Sequence, residues 1–346
     1  MNDKKETQDK SAALFMPISD LMIDAYDDIE RRSNNPISIS GITTGFDCLD
    51  QLIDGFHAGE LIVVGGRTSM GKTALAISLA YQVASAEPPH PVSLFSMSIS
   101  NKKIALRMLS ATSRVKTNHI DNGQLKAEDW RRLASTSGVL DELNIQVGDH
   151  IESLDDLRAA CKWLKQSQQG LDLVVLDDLQ SLPEHLGSKQ RNQDMAKIMH
   201  ALKTMAKELA ISVVVTTNLK HTLERRSDQR PRLSDLYHVA AIEQMADVIM
   251  FLYRDEIYHP RSDNKGLAEI IVAKQTHGAL GHVNLKFEGE FGLFSEWDQR
   301  FSFNNDPINS ELADAYQLQA ETAFEELIKH PYTDSIDTGF HPDDEG

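Results

Sequence analysis

Gly66-Arg67-Thr68-Ser69-Met70-Gly71-Lys72-Thr73 follows the apolar run Leu61-Ile62-Val63-Val64-Gly65 and decides the fold of this 346-residue chain. It satisfies the pattern GxxxxGK[ST] in full, with a β-type run before it and a helix-forming run from Ala74 after it. The glycines let consecutive backbone N–H groups curl around a phosphate at a helix N-terminus. Lys72 is then placed to reach the β/γ oxygens of a nucleoside triphosphate, and the Thr73 hydroxyl to hold Mg²⁺. Gly66, Arg67, Thr68, Ser69, Met70, Gly71, Lys72 and Thr73 are the expected nucleotide-binding loop.

Such a loop needs a carboxylate at the end of a nearby buried strand. Leu171-Asp172-Leu173-Val174-Val175-Leu176-Asp177-Asp178 supplies one, and Asp177, which directly follows the apolar run, is the expected Mg²⁺ partner acting through water. Alone, Asp-Asp after a strand also suits a solvent-facing turn; beside the phosphate loop it becomes a Walker B candidate. Working outward, β-rich runs at 61–65, 92–96, 171–176 and 211–216 alternate with helical stretches after Lys72, at 102–112 and near 195–209. That alternation predicts an α/β fold with a parallel sheet covered on both faces. Runs at 248–253, 269–273 and 282–287 follow without long helices, so the sheet is expected to end in antiparallel strands.

Ahead of this domain, Ile18, Leu21, Met22, Ala25, Tyr26 and Ile29 recur at helical spacing among acidic residues, and the pattern stops at Asn34-Asn35-Pro36. The expected organisation is an unstructured stretch at 1–17, a helix at 18–35, an ATPase-type domain at 36–302 and an acidic tail at 303–346. The helix either covers its own domain or docks on another subunit.

Against 35 Lys and Arg stand 52 Asp and Glu, a net charge of −17. That sign disfavours non-specific coating of nucleic acid, which needs basic residues for phosphates. Eleven acidic residues and one Lys fall between Asn305 and Gly346, however, so the acidity is largely a property of the tail. Cys48 and Cys161 are far apart and form no ligand set, which reads as two small buried residues in a reducing compartment. No run approaches the ~20 apolar residues of a membrane span, and the expected location is the cytoplasm, away from membranes.

Several stretches together resemble one family, the hexameric replicative DNA helicases of the DnaB type with their RecA-like motor domain. They include Ile42-Thr43-Thr44-Gly45-Phe46-Asp47, the loop from Gly66 to Thr73, Asp177-Asp178-Leu179-Gln180, the run from Ile242 to Asp255, and Glu269-Ile270-Ile271-Val272-Ala273-Lys274-Gln275. The resemblance spans about residues 37–298. It implies a RecA-like P-loop NTPase fold, ATP and Mg²⁺ as ligands, DNA replication or unwinding as the setting, and single-stranded DNA as a partner. It also implies a homo-hexamer or mixed ring held through the 18–33 helix, which sits where the family has a linker helix, and the absence of the family's separate N-terminal domain. Residue by residue, it gives Lys72 and Thr73, Asp177 as the Walker B acid, Asn218 in place of a glutamine that senses the γ-phosphate, and Lys274, which in the family reaches the γ-phosphate on a neighbouring subunit.

The departures bear on chemistry. Where the family reads Ser-Leu-Glu-Met-Ser, with the Glu polarising the attacking water, this chain reads Ser96-Met97-Ser98-Ile99-Ser100. Where it reads Lys-Gln-Arg-Asn-Gly, with the Arg as a finger in trans, this chain reads Lys274-Gln275-Thr276-His277-Gly278. A positioned base contributes about 10²–10⁴ in rate and an arginine finger about 10³–10⁵. Ser98 and Thr276 therefore predict ATP binding with weak or absent hydrolysis. The alternative is a non-catalytic ATP-binding ring or regulatory subunit that assembles with a true helicase. Asp178, one residue past the Walker B acid, can polarise water from another side or be merely solvated, and Arg254 is a candidate displaced finger. Arg225, Arg226, Arg230 and Arg232, with Lys220 before them, are the expected DNA-contacting cations, opposed by the diluting charges of Glu224, Asp228 and Asp235. Lys189 and Arg191 fall in a second expected channel loop.

Overall fold

The computed structural model describes residues 39–182 and 191–297, together with 17–19, 22, 26, 29 and 30. The expected segments 1–17 and 303–346 therefore lie outside the described residues, apart from Pro17, as do most of 18–35, Lys189 and the Arg191 side chain. In chain order the elements are α1 (Asp47–Ile53), β1 (Leu61–Gly66), α2 (Lys72–Ala84), β2 (Val92–Ser96), α3 (Asn101–Ser113), α4 (Thr117–Asn122), α5 (Ala127–Glu142), β3 (Ile145–Gly148), α6 (Leu154–Gln166), β4 (Leu173–Asp177), α7 (Arg191–Leu209), β5 (Ser212–Asn218), α8 (Val239–Met245), β6 (Val248–Tyr253), α9 (Asp255–Tyr258), β7 (Leu267–Lys274), β8 (Gly281–Glu288) and β9 (Leu293–Glu296).

The strands form one sheet in the order β3-β2-β4-β5-β1-β6-β7-β8-β9. From β3 to β6 every pair is parallel, and β7, β8 and β9 continue it as an antiparallel extension. This is the RecA-like P-loop architecture, mostly parallel with antiparallel C-terminal strands. Side chains alternate across the central strands, as a period of two requires. Ile62, Val64, Val175, Val214 and Met250 join Leu75, Ile77 and Leu79 of α2 on one face. Leu61, Val63, Val174, Val215 and Ile249 join Cys161 of α6 and Ile198, Leu202 and Met205 of α7 on the other. Burial on both faces explains why these strands read as unbroken apolar runs.

Two strands escape the sequence reading. β3 is an edge strand of intermediate burial throughout, and β9 has one buried residue, Phe294, so neither carries a continuous apolar run. The cysteine reading needs a correction as well. Cys161 is buried, but Cys48 is only partly covered and lies against the Asn284 carbonyl. Burial pushes both thiols up to about 12, so neither is a ready nucleophile. Among the described residues no helix is long and apolar enough to cross a membrane. Ile18, Met22, Tyr26 and Ile29, the described apolar positions of the N-terminal segment, are helical and exposed.

Candidate nucleotide-binding site

The loop leaves β1 at Gly66 and turns into α2 through Gly71, whose φ of 104° is a left-handed value that a side chain would strain. A Cβ there would also meet the Phe294 ring at 3.3 Å. Parallel register brings the rest of the site to the same edge of the sheet: Gly66 pairs with Asn218 on β5, and Ser96 on β2 pairs with Asp177 on β4. These are the carboxyl ends of the parallel strands, where open α/β sheets bind ligands.

Thr73 Oγ1 donates to Asp177 Oδ2 over 2.8 Å, and Thr216 Oγ1 to Asp177 Oδ1 over 2.7 Å. Asp177 is 4% exposed, so a carboxylate and a hydroxyl meet in a nearly water-free corner. This pair of hard oxygen donors beside a phosphate loop fits Mg²⁺. The Lys72 ammonium donates to Gly66 O (2.9 Å) and to Asn218 Oδ1 (2.9 Å). Asn218 Nδ2 in turn donates to Asp178 Oδ2 over 2.8 Å, and Gln180 N to Asp178 Oδ1 over 3.2 Å. Burial pulls the Lys72 pKa below its ordinary value against the opposing charges of Asp178 and Asp177. Burial raises the Asp178 carboxyl above the usual carboxylate range.

Two guanidiniums support the loop from below. Arg67 turns away from the phosphate position: its Nη1 donates to Leu219 O, and Nε and Nη2 both donate to Glu224 Oε1. Its part in the loop is thus that of its backbone. Arg254, 8% exposed, donates from Nη1 to Ser69 O (3.2 Å) and Met70 O (3.4 Å) of the same chain, forks onto Glu256, and lies 4.1 Å from the Phe287 ring centroid. It is a brace for its own loop, which corrects its reading as a finger directed at a neighbour. That role is invisible in sequence because the partners are 184 and 185 residues away.

Ser98 is exposed just beyond β2, and Thr276 is exposed in the turn from β7 to β8. Lys274 donates to Glu243 O and Ala246 O, both at 2.6 Å, at the C-terminal end of α8. Burial lowers its pKa, opposed by the Asp247 and Glu243 charges. It pairs with Ile249 at the start of β6, at the sheet edge opposite the phosphate loop.

The basic loop after β5 differs from the expected bank of free cations. Arg226 binds Asp235 at 3.2 and 2.9 Å, Arg230 binds Glu269 at 2.9 and 3.0 Å, and Arg232 reaches Asp228 at 3.1 Å. The Glu269 hydrogen bonds hold the Arg230 pKa above even its usual value. Lys220 donates to Ser234 O. Of the four arginines, Arg225 is the one with no ion pair among the described residues. Glu269, 39 residues from Arg230, is the partner carboxylate that the local reading did not weigh.

Known proteins resemble this chain in sequence and fold. The family profile of the DnaB-like helicase C terminal domain matches residues 41–296. The chain is 38% identical over 297 residues to the replicative DNA helicase DnaB of Geobacillus stearothermophilus and 36% identical over 296 residues to the replicative DNA helicase DnaC of Bacillus subtilis. Each match covers 85% of this chain and 65% of the relative, so the chain spans just under two thirds of their length. Among solved structures, one described as an ATPase domain superposes with a TM-score of 0.77 at 30% identity, over 82% of this chain and all of that one. A DnaB-like replicative helicase, described with its interactions with primase, gives a TM-score of 0.74 at 30% identity, over 82% of this chain and 68% of that one.

Proposed function

Because the chain belongs to the DnaB-like helicase C-terminal domain family, we propose that it is an ATP- and Mg²⁺-binding subunit of the 5'-3' DNA helicase type that hydrolyses ATP slowly. The observation that carries this reading is a contrast within one site. The contacts of Lys72 and of the Thr73–Asp177 pair support ground-state binding, while Ser98 brings a hydroxyl in place of the family's carboxylate and Thr276 no guanidinium. When bound, Mg²⁺ would supply charge neutralisation for the phosphates, and Thr73 and Asp177 are the residues that would hold it. Lys72 orients the γ-phosphate, and Asn218 is positioned to sense it. The setting is DNA replication or unwinding in the cytoplasm, with single-stranded DNA as the polymer engaged.

A ring is the second part of the proposal. Lys274 lies at the edge of the sheet opposite its own phosphate loop, so a phosphate it touches belongs to another subunit. The N-terminal segment, in which Ile18, Met22, Tyr26 and Ile29 are helical and exposed, is the docking element of a homo-hexamer or of a mixed ring. In a mixed ring a complete subunit supplies the missing guanidinium, and the chain then acts as a regulatory member.

The test is ATP turnover with and without single-stranded DNA, alongside binding of a fluorescent ATP analogue. Wild type is expected to bind the analogue in a Mg²⁺-dependent manner, with binding lost in Lys72→Ala. Turnover should be slow and should rise in Ser98→Glu/Thr276→Arg. Rapid DNA-stimulated turnover by the wild type would overturn the reading.

A further inference from the structure

We propose that Asp178 is the water-activating base of this site, a carboxylate on the β4 strand end that takes the role left open by Ser98 on the neighbouring strand. The proposal rests on the reading of the chain as an ATP-binding subunit of the DnaB type.

The register of the sheet places the two positions together. Ser96 pairs with Asp177, so the chain leaving β2 toward Ser98 and the chain leaving β4 at Asp178 emerge side by side, one inter-strand spacing of about 4.8 Å apart. A carboxylate contributed from either strand end serves the same space above the sheet. The hydrogen bonds place Asp178 at the reacting end of that space. Lys72 Nζ is bonded to Asn218 Oδ1 and Asp178 Oδ2 to Asn218 Nδ2, so one side-chain amide separates the ammonium from the carboxylate. An ammonium that leaves Asn218 for the phosphates would leave Asn218 and Asp178 beside it, which is where a water near the γ-phosphate would be met.

The two adjacent carboxylates are also differently occupied. Both oxygens of Asp177 accept threonine hydroxyls, which suits a metal-organising acid. Among the described residues Asp178 accepts only a backbone N–H and an amide, which leaves each oxygen a lone pair, and no cation lies within ion-pair distance of it.

In the step, an Asp178 oxygen takes a proton from a water. The water oxygen bonds to the γ-phosphorus as the bond from that phosphorus to the bridging oxygen breaks, and ADP leaves with the electron pair. The proton then passes from the Asp178 carboxyl to the released phosphate, which restores the carboxylate.

The experiment uses the full chain and the variants Asp178→Asn, Asp178→Glu, Lys72→Ala and Asp178→Asn/Ser98→Glu, each checked for an unchanged thermal transition. Asp178→Asn is expected to lower kcat at least tenfold, toward the Lys72→Ala level. Asp178→Glu, which keeps a carboxylate, should retain part of the turnover. Ser98→Glu should restore turnover in the Asp178→Asn background. A binding readout separates this role from a structural one. Removing a negative charge that faces the γ-phosphate should raise the affinity for a non-hydrolysable ATP analogue relative to ADP.

Wild-type kcat in Asp178→Asn, or an unchanged ratio of analogue to ADP affinity, overturns the assignment. So does ATP binding with no Lys72-dependent turnover, which leaves the parent reading standing. Failure of the wild type to bind the analogue with Mg²⁺ defeats the parent reading, and this inference falls with it.

Discussion

Arg67, inside the phosphate-binding loop, and Glu224, in the short 3₁₀ turn His221–Arg225 after β5, are joined by two hydrogen bonds of 2.8 and 2.7 Å from one guanidinium to one carboxylate oxygen. The pair ties the segment that would hold phosphate to the basic loop proposed to meet DNA. Arg67 is buried, whereas Glu224 is about two-fifths exposed, so solvent screens part of the interaction. Glu224→Ala leaves the guanidinium with Leu219 O and His221 as partners and is expected to cost about 1–2 kcal/mol in urea unfolding. Glu224→Gln, which keeps a neutral acceptor, should cost less. Equal losses in the two variants would show that the charge contributes nothing.

Arg254 gives a sharper expectation because its partners are the loop carbonyls themselves. Arg254→Lys keeps the charge but loses the planar fork that reaches Ser69 O, Met70 O and Glu256 together. Nucleotide affinity should fall about tenfold, the size of one charge-assisted hydrogen bond of roughly 1.5–3 kcal/mol partly replaced. Titration with a fluorescent ADP analogue reads this directly, and unchanged affinity would mean the loop holds its shape without the brace.

The basic loop divides into structural and free cations, and mutation should separate them. Arg226→Ala strips its partner from Asp235, which is 4% exposed, so the main effect expected is destabilisation of about 3 kcal/mol by thermal or urea unfolding. Arg225→Ala should leave stability unchanged and weaken single-stranded DNA binding. The slope of log K against log salt should shrink by about 0.7, the share of a single neutralised phosphate on a single strand. An unchanged salt slope would remove Arg225 from the DNA interface.

These cases show where the sequence was legible. The phosphate loop could be read because its chemistry is contiguous and flanked by strand and helix, and Asp177 because it ends an apolar run. The parallel strands were visible because both faces are buried, whereas β3 and β9, half-covered edges, carry no such run. What sequence could not show is partnership across distance: Arg230 with Glu269, 39 residues away, or Arg254 with Met70. A run of arginines looks like a DNA patch until the carboxylates that occupy it are placed beside it.

The Thr73–Asp177 pair predicts a metal-specific phenotype. Thr73→Val removes the hydroxyl and Asp177→Asn the charge, and each should reduce the gain in nucleotide affinity that Mg²⁺ confers by about ten- to a hundredfold, with metal-free binding little changed. Thr73→Ser should behave as wild type. Isothermal titration of ADP with and without Mg²⁺ distinguishes these outcomes, and an equal loss under both conditions would mean that the pair supports only the loop.

Lys274 yields the prediction that depends on assembly. Through Ile249, Lys274 is level with Val63 of β1, two strands away and three residues, about 10 Å at 3.3 Å per residue, before Gly66, and its ammonium is bonded to Glu243 O and Ala246 O. No side-chain rotation carries its ammonium to the loop of the same chain. Lys274→Ala should therefore leave nucleotide affinity unchanged at dilutions where subunits are apart, and lower turnover once they associate. In the Ser98→Glu/Thr276→Arg background, a Lys72→Ala subunit retains Lys274 but has no working loop, and a Lys274→Ala subunit has the reverse. Mixed, they should show turnover that neither shows alone, because one supplies the loop and the other the ammonium at a shared interface. Silence in the mixture, with both variants assembled, would assign Lys274 to capping α8 through Glu243 O and Ala246 O and to no phosphate at all.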